Sequence, residues 1–398
     1  MRIVHVVDYI QPKLGYQEYF LPRAQLADGH EVYVVTSDRY SPFLAYDGYA
    51  APLIGPRLLQ PGVREEDGVC IHHLRSHLEY SQRIWIRGLE QEVRRLSPDL
   101  VHVHGIANFS AVRVALLKHR LPTDQKFRLI YDCHMVQGEG RHPLRRLAHP
   151  MFRVWARLIR SQADALVGVA EDAVRYMHEV YGLSQSELHL VPLGASTERF
   201  HFDRGVRRRV RARLAFSDSD VVFIYAGKLN PIKGPHLLVK AALALMADDE
   251  HIRVLIIGGG SEEYVSRMQK LVTNHGCSSH FLWTPTVSNI ELAKYYCAAD
   301  VGVWPRMSSL TMLEAQACRL PIIVSDHPVA SERVRVDNGL VFRSDDVEDL
   351  ARQMKRLANS ADLRREMGEN GWRYVSENLS YTTLSRQFIA LACGAQTP

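Results

Sequence analysis

Short apolar runs alternate along the whole chain with stretches whose apolar positions recur at three- and four-residue spacing. The first pattern predicts buried strands and the second amphipathic helices. In the first half, strands are expected at Ile3–Val7, Glu31–Thr36, Leu100–His104, Leu129–Tyr131, Ala165–Val169 and Leu188–Val191. In the second half they are expected at Val221–Tyr225, Val254–Ile257, Phe281–Trp283, Val301–Val303 and Ile322–Val324. Strand and helix in regular alternation predict parallel α/β layering, here two doubly wound units in succession. The joint is expected near Thr197–Ser219, a polar stretch carrying Arg204, Arg207, Arg208, Arg209, Arg211 and Arg213. A basic run of this kind predicts a solvated helix face. The last periodic stretch, Leu363 to Leu391, predicts a terminal helix.

Length agrees with this division, since 398 residues exceed what one core normally organises. The expected domains are 1–200 and 201–370, with a C-terminal helix over 371–398. Hydrophobic content of 46% and charged content of 23% are those of a globular soluble protein. No run approaches the roughly 20 apolar residues needed to span a bilayer. The N-terminus enters a strand at once and is broken by Asp8, so no signal peptide is expected. The six cysteines are scattered without a CxxC pair, which fits a reducing cytoplasm. A net charge of +5, from 49 basic and 44 acidic residues, does not argue for nucleic acid. No aromatic-basic single-strand motif accompanies it.

Several segments carry candidate chemistry. Phe223-Ile224-Tyr225-Ala226-Gly227-Lys228-Leu229-Asn230-Pro231-Ile232-Lys233-Gly234 is a strand followed by a loop with two lysines, before a helical pattern. Two ammonium groups at the carboxyl end of a buried strand, beside a helix N-terminus, suit a diphosphate. Ser309-Leu310-Thr311-Met312-Leu313-Glu314-Ala315 places a carboxylate one turn into another helix, also after a strand, where it can accept hydrogen bonds from a ribose diol. Backbone amides from Ser309 to Thr311 could cradle phosphate at that helix start. Ile257-Gly258-Gly259-Gly260 imitates a dinucleotide fingerprint, but GxGxxG would require glycine where Glu263 stands. The plainer reading is a strand-to-helix turn with positive φ.

Val101-His102-Val103-His104-Gly105 ends one strand and Tyr131-Asp132-Cys133-His134 ends another. Period-two spacing points His102 and His104 the same way. Three histidines could ligate zinc; a buried structural role is the alternative. Between Arg141 and Arg160 lie Arg145, Arg146, Arg153 and Arg157, interleaved with apolar residues and free of acids. A basic amphipathic helix there suits an anionic lipid surface, at about 1 kcal/mol per basic residue near it. It equally suits a helix whose apolar face packs into its domain.

Taken together, these segments resemble the retaining glycosyltransferases of family 4. The resemblance implies the GT-B fold, an α/β architecture of two Rossmann-like domains facing a cleft, with the terminal helix crossing back onto the first. It implies catalytic roles for Lys228, Lys233 and His134. It assigns donor binding to Gly15, Gly227, Gly258, Arg306, Ser309, Leu310, Thr311 and Glu314, with the Gly258 turn lying against base and ribose. No cofactor or metal is implied. The expected partners are a nucleotide-diphosphate sugar, a hydroxyl acceptor that could be lipid-linked, and an anionic membrane surface. The expected setting is surface polysaccharide or glycolipid assembly on the cytoplasmic side.

The chain departs from the family at named places. The first loop, Gln11 to Glu18, keeps only Gly15 of two adjacent glycines, with Leu14 in the other place. After Val191-Pro192-Leu193-Gly194 the usual aspartate is Ser196. The first of two glutamates eight residues apart is Arg306, and glycines between them are Met307 and Ser309. Arg306 is therefore expected to bind an acidic donor sugar or add phosphate contacts. Otherwise it points to solvent while Ser308 and Ser309 orient the sugar. A non-catalytic GT-B protein and a sugar-nucleotide epimerase are the alternative functions.

Overall fold

The apolar runs become strands because both faces of each are covered, which is what parallel sheets require. Val221–Ala226, for instance, is buried at every position. The computed structural model describes residues 1–43, 46–80, 82–135, 149–247 and 249–394. The chain forms two units. The first comprises Met1–Pro42, Pro56–Leu193 and the C-terminal segment from Tyr381; the second comprises Phe43–Gly55 and Gly194–Ser380.

The first unit contains β1 (Arg2–Val6), β2 (Glu31–Ser37), β3 (Gly62–Glu66), β4 (Val69–Leu74), β5 (Ser76–Tyr80) and β6 (Arg83–Ile86). It continues with β7 (Leu100–His104), β8 (Arg128–Cys133), β9 (Ala165–Gly168) and β10 (Leu188–Leu190). Eight of these make one sheet in the order β10-β9-β8-β7-β1-β2-β4-β3, and β5 pairs with β6. The sheet is parallel except for β3, which runs antiparallel along β4, and the β5–β6 hairpin is antiparallel too. Neither pair stood out in the sequence. β3 is a charged edge strand, and the imidazoles of His72 and His73 interrupt the apolar run of β4.

The second unit contains β11 (Val221–Ala226), β12 (Ile252–Ile257), β13 (Phe281–Thr284), β14 (Val301–Trp304), β15 (Ile322–Ser325) and β16 (Gly339–Phe342). Their order is β13-β12-β11-β14-β15-β16, all parallel. Chain direction across the sheet reverses between β11 and β14, and in the first unit between β1 and β7. Such switch points leave a crevice at the carboxyl ends of the strands, where open α/β sheets bind ligands.

Two expectations need correction. The terminal helical stretch is two helices, Ala361–Asn378 and Tyr381–Ala392. The chain breaks at Leu379, whose carbonyl accepts the Ala195 amide at 2.9 Å. The last helix packs in the first unit: Phe388 meets the His102 ring at 4.7 Å and Arg386 bonds Asp28 at 3.1 Å. The arginine-rich helix Arg204–Arg213 is not a solvated face on every side. Arg207 and Arg211, one turn apart, both reach Asp300, at 2.6 and 3.1 Å, and Arg211 is only 3% exposed. They also take the carbonyls of Ala298, Ala299 and Asp220, so they cap a helix end that the local sequence could not reveal.

Of the expected basic helix Arg141–Arg160, residues 141–148 lie outside the described residues. The remainder falls in His149–Gln162, a helix with Ala156 and Ile159 buried.

Candidate active site

In the second unit the loop after β11 and the loop after β14 flank the switch point. Gly227 has φ 151° and its amide bonds the Ile257 carbonyl at 3.0 Å. Gly258 has φ 148°, and a Cβ there would lie 1.9 Å from the Gly227 carbonyl oxygen. Gly260 is equally tight, with the Leu229 carbonyl oxygen 1.9 Å from its would-be Cβ. The Gly258 turn has the positive φ expected of a strand-to-helix turn. The structure adds the physical cause: two backbones in contact, one of them carrying the lysine loop.

Lys228 places its ammonium 4.9 Å from the centre of the Phe43 ring. Lys233 donates from Nζ to the Ser308 carbonyl at 2.7 Å, and its amide is held by Asn230 Oδ1 at 3.0 Å. Arg306 donates from Nε to Asp345 Oδ1 at 2.8 Å and from a terminal nitrogen to the Pro231 carbonyl at 2.6 Å. Arg306 is thus neither turned to solvent nor an unengaged cation beside a sugar position. It is tied to the lysine loop.

The helix Leu310–Ala317 starts at Ser309, whose hydroxyl does not cap it but shares a hydrogen bond with Thr311 Oγ1 at 2.8 Å. Thr311 Oγ1 also donates to the Ala226 carbonyl at 2.9 Å, tying the helix start to the end of β11. Trp304 Nε1 reaches the same carbonyl at 3.0 Å. The Ser309 side chain therefore leaves the first amides of this helix uncapped, which is the arrangement an anion can use. One turn in, Glu314 is buried, and its Oε2 has no hydrogen-bond partner among the described residues. Burial pushes its carboxyl up to about 8. A carboxylate without a partner in such a place is costly unless a ligand supplies donors.

In the first unit, Asp132 at the end of β8 is fully buried, surrounded by groups from the end of β7, from Gln17 and from His134. Its Oδ2 accepts from His102 Nε2 at 3.1 Å and Gln17 Nε2 at 3.1 Å, and lies 2.7 Å from His104 Nδ1. Its Oδ1 accepts the Gly105 amide at 3.1 Å and lies 3.2 Å from His134 Nε2. Burial opposes the charge on Asp132, but His104, His134 and the hydrogen bond from His102 outweigh it and hold the carboxyl well below its usual range. Burial also disfavours the His134 cation, yet Asp132 and then Glu18 prevail and lift it to about 9. His102 goes the other way, to about 4, through burial and the neighbouring His104.

Two sets of side chains here come close enough to share an ion, His5 with His102 and His104, and His104 with Asp132 and His134. In the first set, His5 Nδ1 and His104 Nε2 share a hydrogen bond at 2.9 Å, and His102 lies parallel to His104 at 4.4 Å between ring centres. Lone pairs in the planes of stacked rings do not converge on one ion. In the second set, the carboxylate already accepts from His102, Gln17 and the Gly105 amide. Of these side chains His134, one-third exposed, opens outward.

At the end of β1, Asp8 Oδ1 accepts from Ser110 at 2.6 Å, while Asp8 Oδ2, Gln11 Nε2 and Gln17 Oε1 have no hydrogen-bond partner among the described residues. Gly15 follows, in left-handed backbone with φ 70°. Nothing local in the sequence assigns a role to Asp132, His5, Gln17, Asp8 or Asp345. Only the D-C-H spacing within one strand end hinted at the first.

Comparison with known proteins decides what kind of chain this is. A family model described as Glycosyltransferase Family 4 matches residues 19–199, and one for glycosyl transferases group 1 matches residues 206–373. The chain belongs to glycosyltransferase family 4. This glycosyltransferase is 27% identical over 338 residues to a D-inositol 3-phosphate glycosyltransferase of Nocardia farcinica, covering 78% of the chain and 73% of the relative. Its α/β fold is GT-B. The sucrose-phosphate synthase of Thermosynechococcus elongatus superposes with a TM-score of 0.70 at 19% identity, covering 99% of this chain and 98% of the other. Anabaena HepE, solved in complex with UDP and glucose, gives 0.71 at 14% identity, covering 99% and 100%. No helix among the described residues is long and apolar enough to cross a membrane.

Proposed function

We propose that this glycosyltransferase moves a sugar from a nucleotide-diphosphate donor to a hydroxyl with retention of anomeric configuration. The observation that carries the reading is the second unit's constellation at its switch point: Lys228 and Lys233 on one loop, a helix start at Ser309–Thr311 that the Ser309 side chain does not cap, and buried Glu314 with its Oε2 unpartnered among the described residues. Ammonium groups and backbone amides would hold the diphosphate and neutralise charge as it leaves, which is a task otherwise given to a metal ion. Gly227 and Gly258 would let backbone approach the nucleotide, and Glu314 would accept from the ribose diol. The incoming hydroxyl would attack from the leaving group's face, its proton passing to the departing phosphate. No protein nucleophile is then required, and positioning supplies the catalysis.

In the first unit, the imidazolium of His134 would meet the transferred sugar or the acceptor, with Gly15 nearby. The unpartnered polar atoms of Asp8, Gln11 and Gln17 support a ligand rich in hydroxyls there. The Nocardia relative's name favours a phosphorylated cyclitol as one acceptor class to try. A lipid-linked acceptor of surface glycan assembly is the other. It is supported by the helix His149–Gln162, which exposes Met151 and Val154 beside basic residues. That helix would rest on the cytoplasmic membrane face, and its binding to anionic vesicles should weaken as salt rises.

Thermal shift against UDP, GDP, ADP and their sugars tests the core of the reading. A ligand at 100 times its dissociation constant adds about 2.7 kcal/mol of stability. If no nucleotide shifts the melting temperature, the donor site is misassigned. Product analysis with the binding sugar nucleotide and both acceptor classes then reports anomeric configuration and acceptor.

A further inference from the structure

The loop after β11 and the loop after β14 hold each other reciprocally. Lys233 reaches from the first loop to the Ser308 carbonyl of the second at 2.7 Å. Arg306 reaches from the second loop to the Pro231 carbonyl of the first at 2.6 Å. The stem of Arg306 crosses Gly234, where a Cβ would lie 2.9 Å from Arg306 Cγ. Asp345 orients the guanidinium from a third loop, 2.8 Å from Nε and 2.7 Å from a terminal nitrogen. Ser325 Oγ, from the end of β15, holds the Arg306 carbonyl at 3.0 Å.

We propose that Arg306 is a positioning residue: with Asp345 it clasps the lysine loop to the loop after β14 and so holds Lys228 and Lys233 in register for a diphosphate. The proposal rests on the donor-site reading above and deepens it. Where the family has a carboxylate, this chain has an arginine whose Nε and both terminal nitrogens are engaged by Asp345 and the Pro231 carbonyl, so its effect on the donor runs through the loop. A planar guanidinium can serve Asp345 and Pro231 together; an ammonium cannot fork in this way. The Arg306–Asp345 pair is partly exposed, with side chains 34% and 61% accessible, so it adds little to global stability.

Electrostatics and clasping make opposite predictions for Asp345→Asn. Removing a negative charge near an anion site should tighten binding if charge alone matters. If Asp345 aims Arg306, the same change should loosen the loop and weaken binding. Asn suits the left-handed backbone at this position, φ 62°, as well as Asp does.

The experiment measures, for wild type, Arg306→Ala, Arg306→Lys and Asp345→Asn, hydrogen exchange of the Lys228–Gly234 amides without ligand and the affinities of UDP and uridine. We expect faster exchange in all three variants. UDP affinity should fall about tenfold in Arg306→Ala and Asp345→Asn, equivalent to roughly 1.4 kcal/mol. It should fall less in Arg306→Lys, with uridine affinity unchanged throughout. In the double variant Arg306→Ala/Asp345→Asn the losses should not add. Unchanged exchange, or UDP affinity equal to or tighter than wild type in Asp345→Asn, overturns the clasp. Equal losses for uridine and UDP overturn its action on the diphosphate. If exchange rises in every variant while wild type binds neither UDP nor GDP nor ADP, the loop contact stands but its role in positioning a diphosphate falls with the donor-site reading.

Discussion

Gly258 stands so close to Gly227 that a single added methyl at 258 would meet the Gly227 carbonyl oxygen at 1.9 Å. The contact joins the ends of β12 and β11 just where the lysine loop begins. Gly258→Ala should cost about 1–3 kcal/mol from the strained backbone alone, with φ 148°, and more from displacement of the loop. Urea denaturation reads the stability, and nucleotide titration should show a parallel loss of affinity.

Lys233→Ala and Lys228→Ala are expected to weaken nucleoside diphosphate binding more than nucleoside binding. Each should lower kcat by roughly 10²–10³, the effect of removing one preorganised donor from developing charge. Equal losses for a nucleoside and its diphosphate would show that the lysines support the loop without meeting phosphate.

Glu314→Gln should move stability and affinity in opposite directions. Its folded value of about 8 lies above the ordinary 4.5, so the folded protein loses stability as pH rises from 4.5 through 8. The variant removes that loss and should melt higher at pH 8 than wild type, with little difference near pH 4.5. Affinity for a ribonucleotide should fall about tenfold or more, since hydrogen bonds to charged groups contribute roughly 1.5–3 kcal/mol. A 2′,3′-dideoxynucleotide should show no such difference, and the comparison of the two ligands checks the ribose assignment.

His134 carries the reverse signature of a favoured cation. Its folded value of about 9 exceeds the ordinary 6.5, so its contribution is complete below 6.5 and disappears as pH rises through 9. Wild type should therefore lose stability between pH 6.5 and 9, and His134→Asn should flatten that slope. Denaturation midpoints across this range decide it. Asp132→Asn should abolish the same slope and cost about 3–5 kcal/mol, because it removes a partner from a buried charge cluster.

Much of the fold was legible in the hydrophobic pattern. Strands covered on both faces are largely apolar, and β1, β2, β7, β8, β11, β12 and β14 announce themselves by their runs of valine, leucine and isoleucine. β3 and the β5–β6 hairpin did not, because an edge strand and an exposed pair carry charge, and in β4 two buried histidines interrupt the apolar run. The lysine loop, the helix start at Ser309 and Glu314 were visible too, since each is local: a few adjacent residues at a strand end.

What the sequence determined by itself is the alternation of strand and helix, and with it which segments fall at the carboxyl ends of strands. What only tertiary structure decided is which side chains meet there. Arg306 reads as an unengaged cation until Asp345 and Pro231 are placed beside it, 39 and 75 residues away. Arg211 reads as solvated until Asp300 folds against it. Asp132 keeps its charge through His102, His104 and His134, which two neighbouring strand ends, those of β7 and β8, deliver to one buried point. A charged side chain is specified by its partner, and in a parallel sheet partners lie on neighbouring strands that sequence order does not make adjacent.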